Sequence, residues 1–195
     1  LGASYKHYAG RHTTGVYLSH NYLNNRLTKY NDNDESSEAN LRQRAKSTDQ
    51  KTSLRVENRT ALGQWTWKQG AEGNYVQHRN RTRQRIYTDM AGWTDYRTAL
   101  GVWTWGVFTS LDYQSANERF SASAGLRTDA ANLALMRNPL EQLSPRISVR
   151  YALAPQWSVA ANAGIFYQLP TGTALGYKDN NGTLANNRLK YQKVT

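Results

Sequence analysis

The chain has 195 residues, with 25 Lys and Arg against 14 Asp and Glu, a formal net charge of +11 and no Cys. Zero Cys excludes a disulfide scaffold and a Cys-based zinc site, and a mean hydropathy of −0.80 is too polar for a helical membrane protein. The longest uncharged stretch, residues 151–177, is interrupted by Pro155, Gln156, Asn162, Pro170 and glycines. It cannot supply the roughly 20 apolar residues of a spanning helix. No basic and apolar leader opens the sequence, so no signal peptide is expected in it; a mature chain and an excised piece would both look this way. The pI of about 9.9 invites nucleic acid. However, the 17 Arg and 8 Lys are spread along the chain without a helical basic stripe, zinc-finger spacing or aromatic RNA-binding signature. No nucleic-acid partner is expected.

Taken in chain order, the apolar residues recur with a period of two, the signature of strands. Residues 1–8 and 13–30 alternate loosely. Thr52, Leu54 and Val56 then oppose Ser53, Arg55 and Glu57. Trp65, Trp67, Ala71 and Tyr75 oppose Thr66, Lys68, Glu72 and Asn74. Trp103, Trp105, Val107, Leu111 and Tyr113 oppose Thr104, Gly106, Ser110 and Asp112. Phe120 to Leu126 and Ile147 to Leu153 follow the same rule, as do Trp157, Val159, Ala161, Ala163, Ile165 and Tyr167. A last segment starts near Arg188. No helical window competes. The fold expected is all-β: a transmembrane antiparallel up-and-down β-barrel, of which residues 1–195 form a single partial domain of eight strands and the start of a ninth. Single-chain bacterial barrels have even strand numbers, so the simplest reading is an internal piece of a larger barrel.

The connections support this. Short turns at 9–12, 61–64, 115–118 and 154–156 alternate with long loops at about 31–50, 81–97, 128–143 and 169–187. Outer-membrane barrels keep short turns on the periplasmic side and long loops outside. The strands are expected to run ten to sixteen residues, beyond the usual soluble length of about 5–6.

Aromatic spacing carries the membrane reading. Trp65 and Tyr75, Trp103 and Tyr113, and Trp157 and Tyr167 are each ten residues apart on the apolar parity. A tilted strand crosses a bilayer in about 9–11 residues, and amphipathic rings settle at the headgroup level. The six residues therefore form two girdles. The opposite parity carries Arg55, Glu57, Arg59, Lys68, Glu72, Asp112, Arg119, Arg127, Arg146 and Arg150, which suits a polar lumen. Beyond Tyr75, Arg79, Arg81, Arg83 and Arg85 recur on the outward parity. They are either lipopolysaccharide-phosphate contacts, for which Arg is suited, or a solvated hairpin extension facing the acidic residues 32–38.

The C-terminal half resembles a known family. Ser144, Pro145 and Arg146 open a strand, a tight turn follows, and the next strand ends in Gly164 and Tyr167 before Gln168, Leu169 and Pro170. This order is similar to the later barrel strands of TonB-dependent outer-membrane receptors. Residues 122–129 resemble that family's GLR strand end, with Thr128 where an aromatic is common, and residues 189–195 resemble the start of a further strand. The resemblance is good over about 106–195 and looser before. It implies a 22-stranded barrel, a plug domain, and energy from a TonB complex reached through parts not in this sequence. It also implies import of a scarce bulky solute: an iron–siderophore, a cobalamin-like ligand or an oligosaccharide. On that reading Arg127, Arg146, Gln168 and the loop 170–187 with Tyr177 are the candidate ligand contacts; alternatively, Arg127 and Arg146 hold Asp129 and the loop base.

No catalytic chemistry is expected. His7 and His12 lack a third ligand nearby for a metal, the Asn/Asp-rich runs at 31–35 and 179–181 lack EF-hand spacing, and no Gly-x-Ser-x-Gly or phosphate loop occurs. No cofactor and no metal are expected; the partners are outer-membrane lipid and lipopolysaccharide. Two other classes stay open: a self-contained small outer-membrane barrel acting as adhesin or passive pore, and a soluble basic β-protein binding polyanions.

Overall fold

In the computed structural model, residues 1–86, 92–179, 182–186 and 188–195 are described. Eight strands form one antiparallel meander in sequence order: β1 (Gly2–Ala9), β2 (His12–Tyr30), β3 (Leu41–Leu62), β4 (Trp65–Ile86), β5 (Gly92–Gln114), β6 (Phe120–Ala131), β7 (Ser144–Ala154) and β8 (Trp157–Gly164). A separate two-stranded ribbon pairs β9 (Phe166–Gln168) with β10 (Gln192–Val194). Among the described residues no helix is long and apolar enough to cross a membrane.

Register fixes the faces. Antiparallel partners point to the same side of a sheet, and β3–β4 and β4–β5 pair without a shift from end to end. Trp65 lies opposite Tyr113 and Tyr75 opposite Trp103, and in each pair the ring centroids are 4.7 Å apart. Phe120 lies 6.1 Å from Tyr113 and pairs with Tyr151. One aromatic level thus runs along the short-turn end of the sheet, and the second crosses it at Tyr75 and Trp103. Exposed Leu54, Val56, Val107, Leu111, Ile147 and Val159 occupy the same face.

Three sequence expectations need correction. The strands run from 8 residues in β1 to 23 in β5: the hairpins β2–β3 and β4–β5 extend into segments expected as loop. β3 begins at Leu41 rather than after residue 50, and β4 continues through Ile86. Beyond His78 on β4, and over the facing part of β3, the residues are polar on both faces, so alternation disappears while the ladder continues. Tyr167 does not extend β8. The strand stops at Gly164, Ile165 donates its N–H to the Pro145 carbonyl at 3.0 Å, and Tyr167 passes to β9, opposite Lys193. Pro145 has no N–H to return, so the β7–β8 ladder ends there. Of the six aromatics, Trp65, Tyr75, Trp103 and Tyr113 form cross-strand pairs and Trp157 starts β8, while Tyr167 sits outside the main sheet. Finally, the ninth strand is the short β10, not a run from residue 188.

The principal apolar cluster is on the inner face, beyond the second aromatic level. Val102, Ala131, Met136 and Leu175 are buried, with Val76, Leu100, Leu133, Leu169, Leu189 and Tyr191 packed around them. Residues 169–179, with the single-turn helix α1 (Gly172–Leu175), and residues 188–191 lie inward and bring Leu169, Leu175, Leu189 and Tyr191 to the wall.

If the aromatic parity faces lipid, Val107→Arg and Ala161→Arg should each destabilise the folded barrel by about 2–4 kcal/mol near the midplane. Ser110→Arg and Asn162→Arg, on the other parity, should cost far less in liposome folding titrations. Equal costs at both parities would contradict the assignment. Sidedness is a second test. Cysteines at Ser36, Arg137 and Thr183 of the full protein should react with an impermeant thiol reagent on intact cells. Those at Arg11, Gln64 and Gln156 should react only after lysis.

Candidate functional site

The inner wall is built from polar and charged residues paired along one strand or across the sheet. Lys68 Nζ is 2.7 Å from Asp112 Oδ2, and the Ser123 hydroxyl donates to the other oxygen of Asp112 at 2.5 Å. Arg55 donates to Glu57 at 2.8 and 3.0 Å, and the Tyr17 hydroxyl donates to the other Glu57 oxygen at 3.0 Å. The Arg55 guanidinium also lies 4.6 Å from the centre of the Phe108 ring. That ring covers Gly70, where an added Cβ would stand 2.6 Å from Phe108 Cζ.

Arg127 occupies the middle of this wall. It donates to both oxygens of Asp129, with Nη2 2.6 Å from Oδ1, and its Nη1 is 3.7 Å from Glu72. Glu72 is on β4 and Asp129 on β6, each directly opposite Gly106 of β5. Any side chain at Gly106 would collide with Asp129 Oδ1 and stand 2.9 Å from Arg127 Nη2. The glycine therefore opens the gap through which three charges meet over an intervening strand. Their side chains are only 16–23% exposed. This arrangement matches the bracing alternative for Arg127, and only the Arg127–Asp129 half of it could be read from the sequence.

Arg146 is on the same face, diagonal to Arg127 because Gly125 pairs Arg146 and Arg127 pairs Ser144. Its guanidinium lies 4.4 Å from the Phe166 ring centre. Gln168 sits in β9 opposite Gln192. Tyr177 is elsewhere: its ring meets Tyr96 edge-on at 6.0 Å. Tyr96 is twelve residues from Phe108, the partner of Arg127, or about 40 Å of strand at 3.3 Å per residue. The four candidate contacts thus divide into a wall pair, a ribbon residue and a rim residue.

Sequence reasoning missed His78 and Asp49. His78 faces inward, is 3% exposed, and has Nδ1 2.5 Å from Asp49 Oδ1, while its buried Nε2 lacks a hydrogen-bond partner. Gly172 of α1 packs against the imidazole so closely that a Cβ there would stand 2.5 Å from Cγ. Thr98 donates to the Gly176 carbonyl at 2.6 Å. These contacts seat the inward-folded segment. The only sequence signal was a histidine on the inward parity of β4.

Elsewhere, the Asp34 carboxyl accepts from Ser36 N–H at 2.9 Å and from Asn40 at 2.7 Å. The Ser36 hydrogen bonds hold it below the usual carboxylate range. That acidic run is a self-bonded loop tip. His12 bonds Thr60 at 3.0 Å. Among the described residues, no three His, Cys, Asp or Glu are grouped as a metal site. Arg79, Arg81, Arg83 and Arg85 lie on the face of Tyr75, beyond it, with Arg83 and Arg85 stacked over Trp93.

Removing Arg127 strands two half-buried carboxylates. Arg127→Ala should lower stability by about 2–3 kcal/mol, below the range for fully buried pairs because of the residual exposure. Adding Glu72→Gln should recover part of that loss in detergent unfolding titrations. A neutral Arg127→Ala would remove the bracing role.

The TonB dependent receptor-like, beta-barrel family model matches residues 1–195. No curated protein matches the chain. Among solved structures the chain is similar to the copper transporter OprC, with a TM-score of 0.60 and 19% sequence identity over 93% of this chain. The match spans 33% of that structure's length, so the chain corresponds to about one third of it. At this identity the likeness speaks for the fold. A family match over every residue, on a sheet with two aromatic levels and a polar inner wall, gives one conclusion: the chain belongs to the TonB-dependent receptor β-barrel family of the outer membrane.

Proposed function

We propose that these residues form about a third of the wall of an outer-membrane importer for a scarce, bulky solute: an iron–siderophore, a cobalamin-like ligand or an oligosaccharide. Energy would come from a TonB complex acting through parts of the protein other than this wall, and no catalytic step is involved. The observation that carries the reading is the inward position of residues 169–179 and 188–191 against the rim, where they are seated on His78, Thr98 and the apolar cluster. It leaves Tyr177 47% exposed beside Tyr96. Exposed aromatic faces stack on sugar rings and catechols, and Arg binds anionic groups in bidentate fashion. Capture then begins at the Tyr96–Tyr177 rim. Arg146 with Phe166, deeper on the wall, and Gln168 meet the solute afterwards, while Arg127 braces.

The test is uptake by the full-length receptor in cells lacking it, across labelled members of the three solute classes, with and without TonB. One class should enter in a TonB-dependent manner. Tyr177→Ala should weaken binding of that solute about five- to tenfold at unchanged surface expression, the range of one lost stacking contact. Arg119→Ala, between the short turn 115–118 and β6, should bind as the unmodified receptor does. No TonB-dependent uptake of any class would reject the importer reading. Loss at Arg119 with none at Tyr177 would move capture to the opposite end.

A further inference from the structure

The outward face beyond the second aromatic level is a charge arrangement that the sheet cannot neutralise by itself. Arg26 of β2 lies opposite Lys46 of β3, Lys46 opposite Arg81 of β4, and Arg81 opposite Arg97 of β5. Four cations therefore stand in one hydrogen-bond row across four adjacent strands, which are about 4.8 Å apart. Like charges directly opposite on a sheet repel. All four residues are exposed. Arg79 flanks the row on one side; Arg44 and Arg83, themselves opposite each other, flank it on the other. Asp95 reaches the row, with Oδ2 3.8 Å from Arg81 Nη2, and Glu38 is bonded to Arg44 at 2.6 Å. Positive charge remains in excess.

This face is continuous with the lipid-facing surface, because β4 runs without a register shift from Tyr75 to Arg81. Tyr75 marks the headgroup level. Arg81 lies six residues farther on, about 20 Å of strand, or about 15 Å of height at a tilt of about 40°. A phospholipid headgroup layer is only about 5–8 Å thick. The row therefore stands above phospholipid phosphates, at the height where an anchored lipid must carry its anionic groups on a sugar core.

We infer that the row Arg26–Lys46–Arg81–Arg97, with Arg44, Arg79 and Arg83, binds the phosphorylated inner core of lipopolysaccharide in the outer leaflet. Guanidinium groups in adjacent register offer repeated forks to phosphate oxygens, and the phosphates supply the counter-charge that the row lacks. Arg79, closest to the girdle, meets the lower phosphates. Trp93, under the guanidinium groups of Arg83 and Arg85, keeps the upper part of the hairpin rigid against the sugars. The assignment is independent of the transported solute.

The experiment uses the purified full-length receptor and defined probes: lipopolysaccharide with phosphorylated core heptoses, the same lipopolysaccharide lacking core phosphate, and phosphatidylglycerol vesicles. The receptor should bind the phosphorylated form at least tenfold more tightly than either of the others, with affinity falling as salt rises. The variant Arg26→Gln/Lys46→Gln/Arg81→Gln/Arg97→Gln should lose that preference, while Arg26→Lys/Arg81→Lys/Arg97→Lys should retain part of it. A control variant, Arg119→Gln/Arg150→Gln, should bind as the unmodified receptor does. Equal binding of the two lipopolysaccharides by the unmodified receptor would overturn the assignment without reference to any variant. Equally tight binding of phosphatidylglycerol would do the same.

Discussion

Inside a bilayer no water is available to satisfy a peptide N–H or C=O, and each one left unpaired costs several kcal/mol. Every other feature of this wall follows from that constraint. The strands must pair along their whole length, and β3, β4 and β5 do so for more than twenty residues each. Unbroken pairing fixes parity, and parity assigns each side chain to lipid or lumen. The ring pairs Trp65–Tyr113 and Tyr75–Trp103 then mark where that segregation begins and ends.

The inner wall obeys a second rule, set by side-chain size. Gly106 lets Arg127 join carboxylates from strands on both sides of its own neighbour, and Gly70 gives the Phe108 ring a floor under the Arg55 guanidinium. In each case a missing side chain is what allows a long one to lie flat across the sheet. Toward the rim the wall changes character: polar pairs give way to Val76, Leu100 and Val102, which meet Leu175, Leu169 and Leu189 from the inward-folded segment. That segment is held by apolar burial and by the Gly172 and Gly176 contacts with His78 and Thr98.

What the sequence made legible was whatever the bilayer segregates. Between the aromatic levels, lipid on one side and solvent on the other write a period of two into Trp65 to Tyr75 and Trp103 to Tyr113, and those strands could be read directly. Farther up, beyond His78, the residues of β3 and β4 are polar on both faces. Residues such as Lys46, Asn80, Arg81 and Thr82 then alternate in charge and burial but not in hydropathy, so the hairpin extensions read as loop. The halt at Ile165 was hidden for a different reason: the apolar rhythm continues through Tyr167, and the missing N–H belongs to Pro145 on another strand. The Glu72–Arg127–Asp129 cluster depends on register across three strands, and only its Arg127–Asp129 half is local. The row of four cations was one-quarter visible, in the run that contains Arg81.

The unbroken register also bears on how such a wall can vary. Adding two residues to each arm of β4–β5 would lengthen the hairpin and leave every side chain on its present face. Adding one would send Arg79, Arg81 and Arg83 into the lumen and His78 toward the lipid leaflet, unless a bulge absorbed the change. Among the described residues, the main sheet has two such irregularities, between Lys29 and Tyr30 and between Ala152 and Ala154. Both sit at strand ends, where an odd residue disturbs little below it. Length variation in these hairpins should therefore occur in steps of two, with odd steps confined to the last residues before a loop.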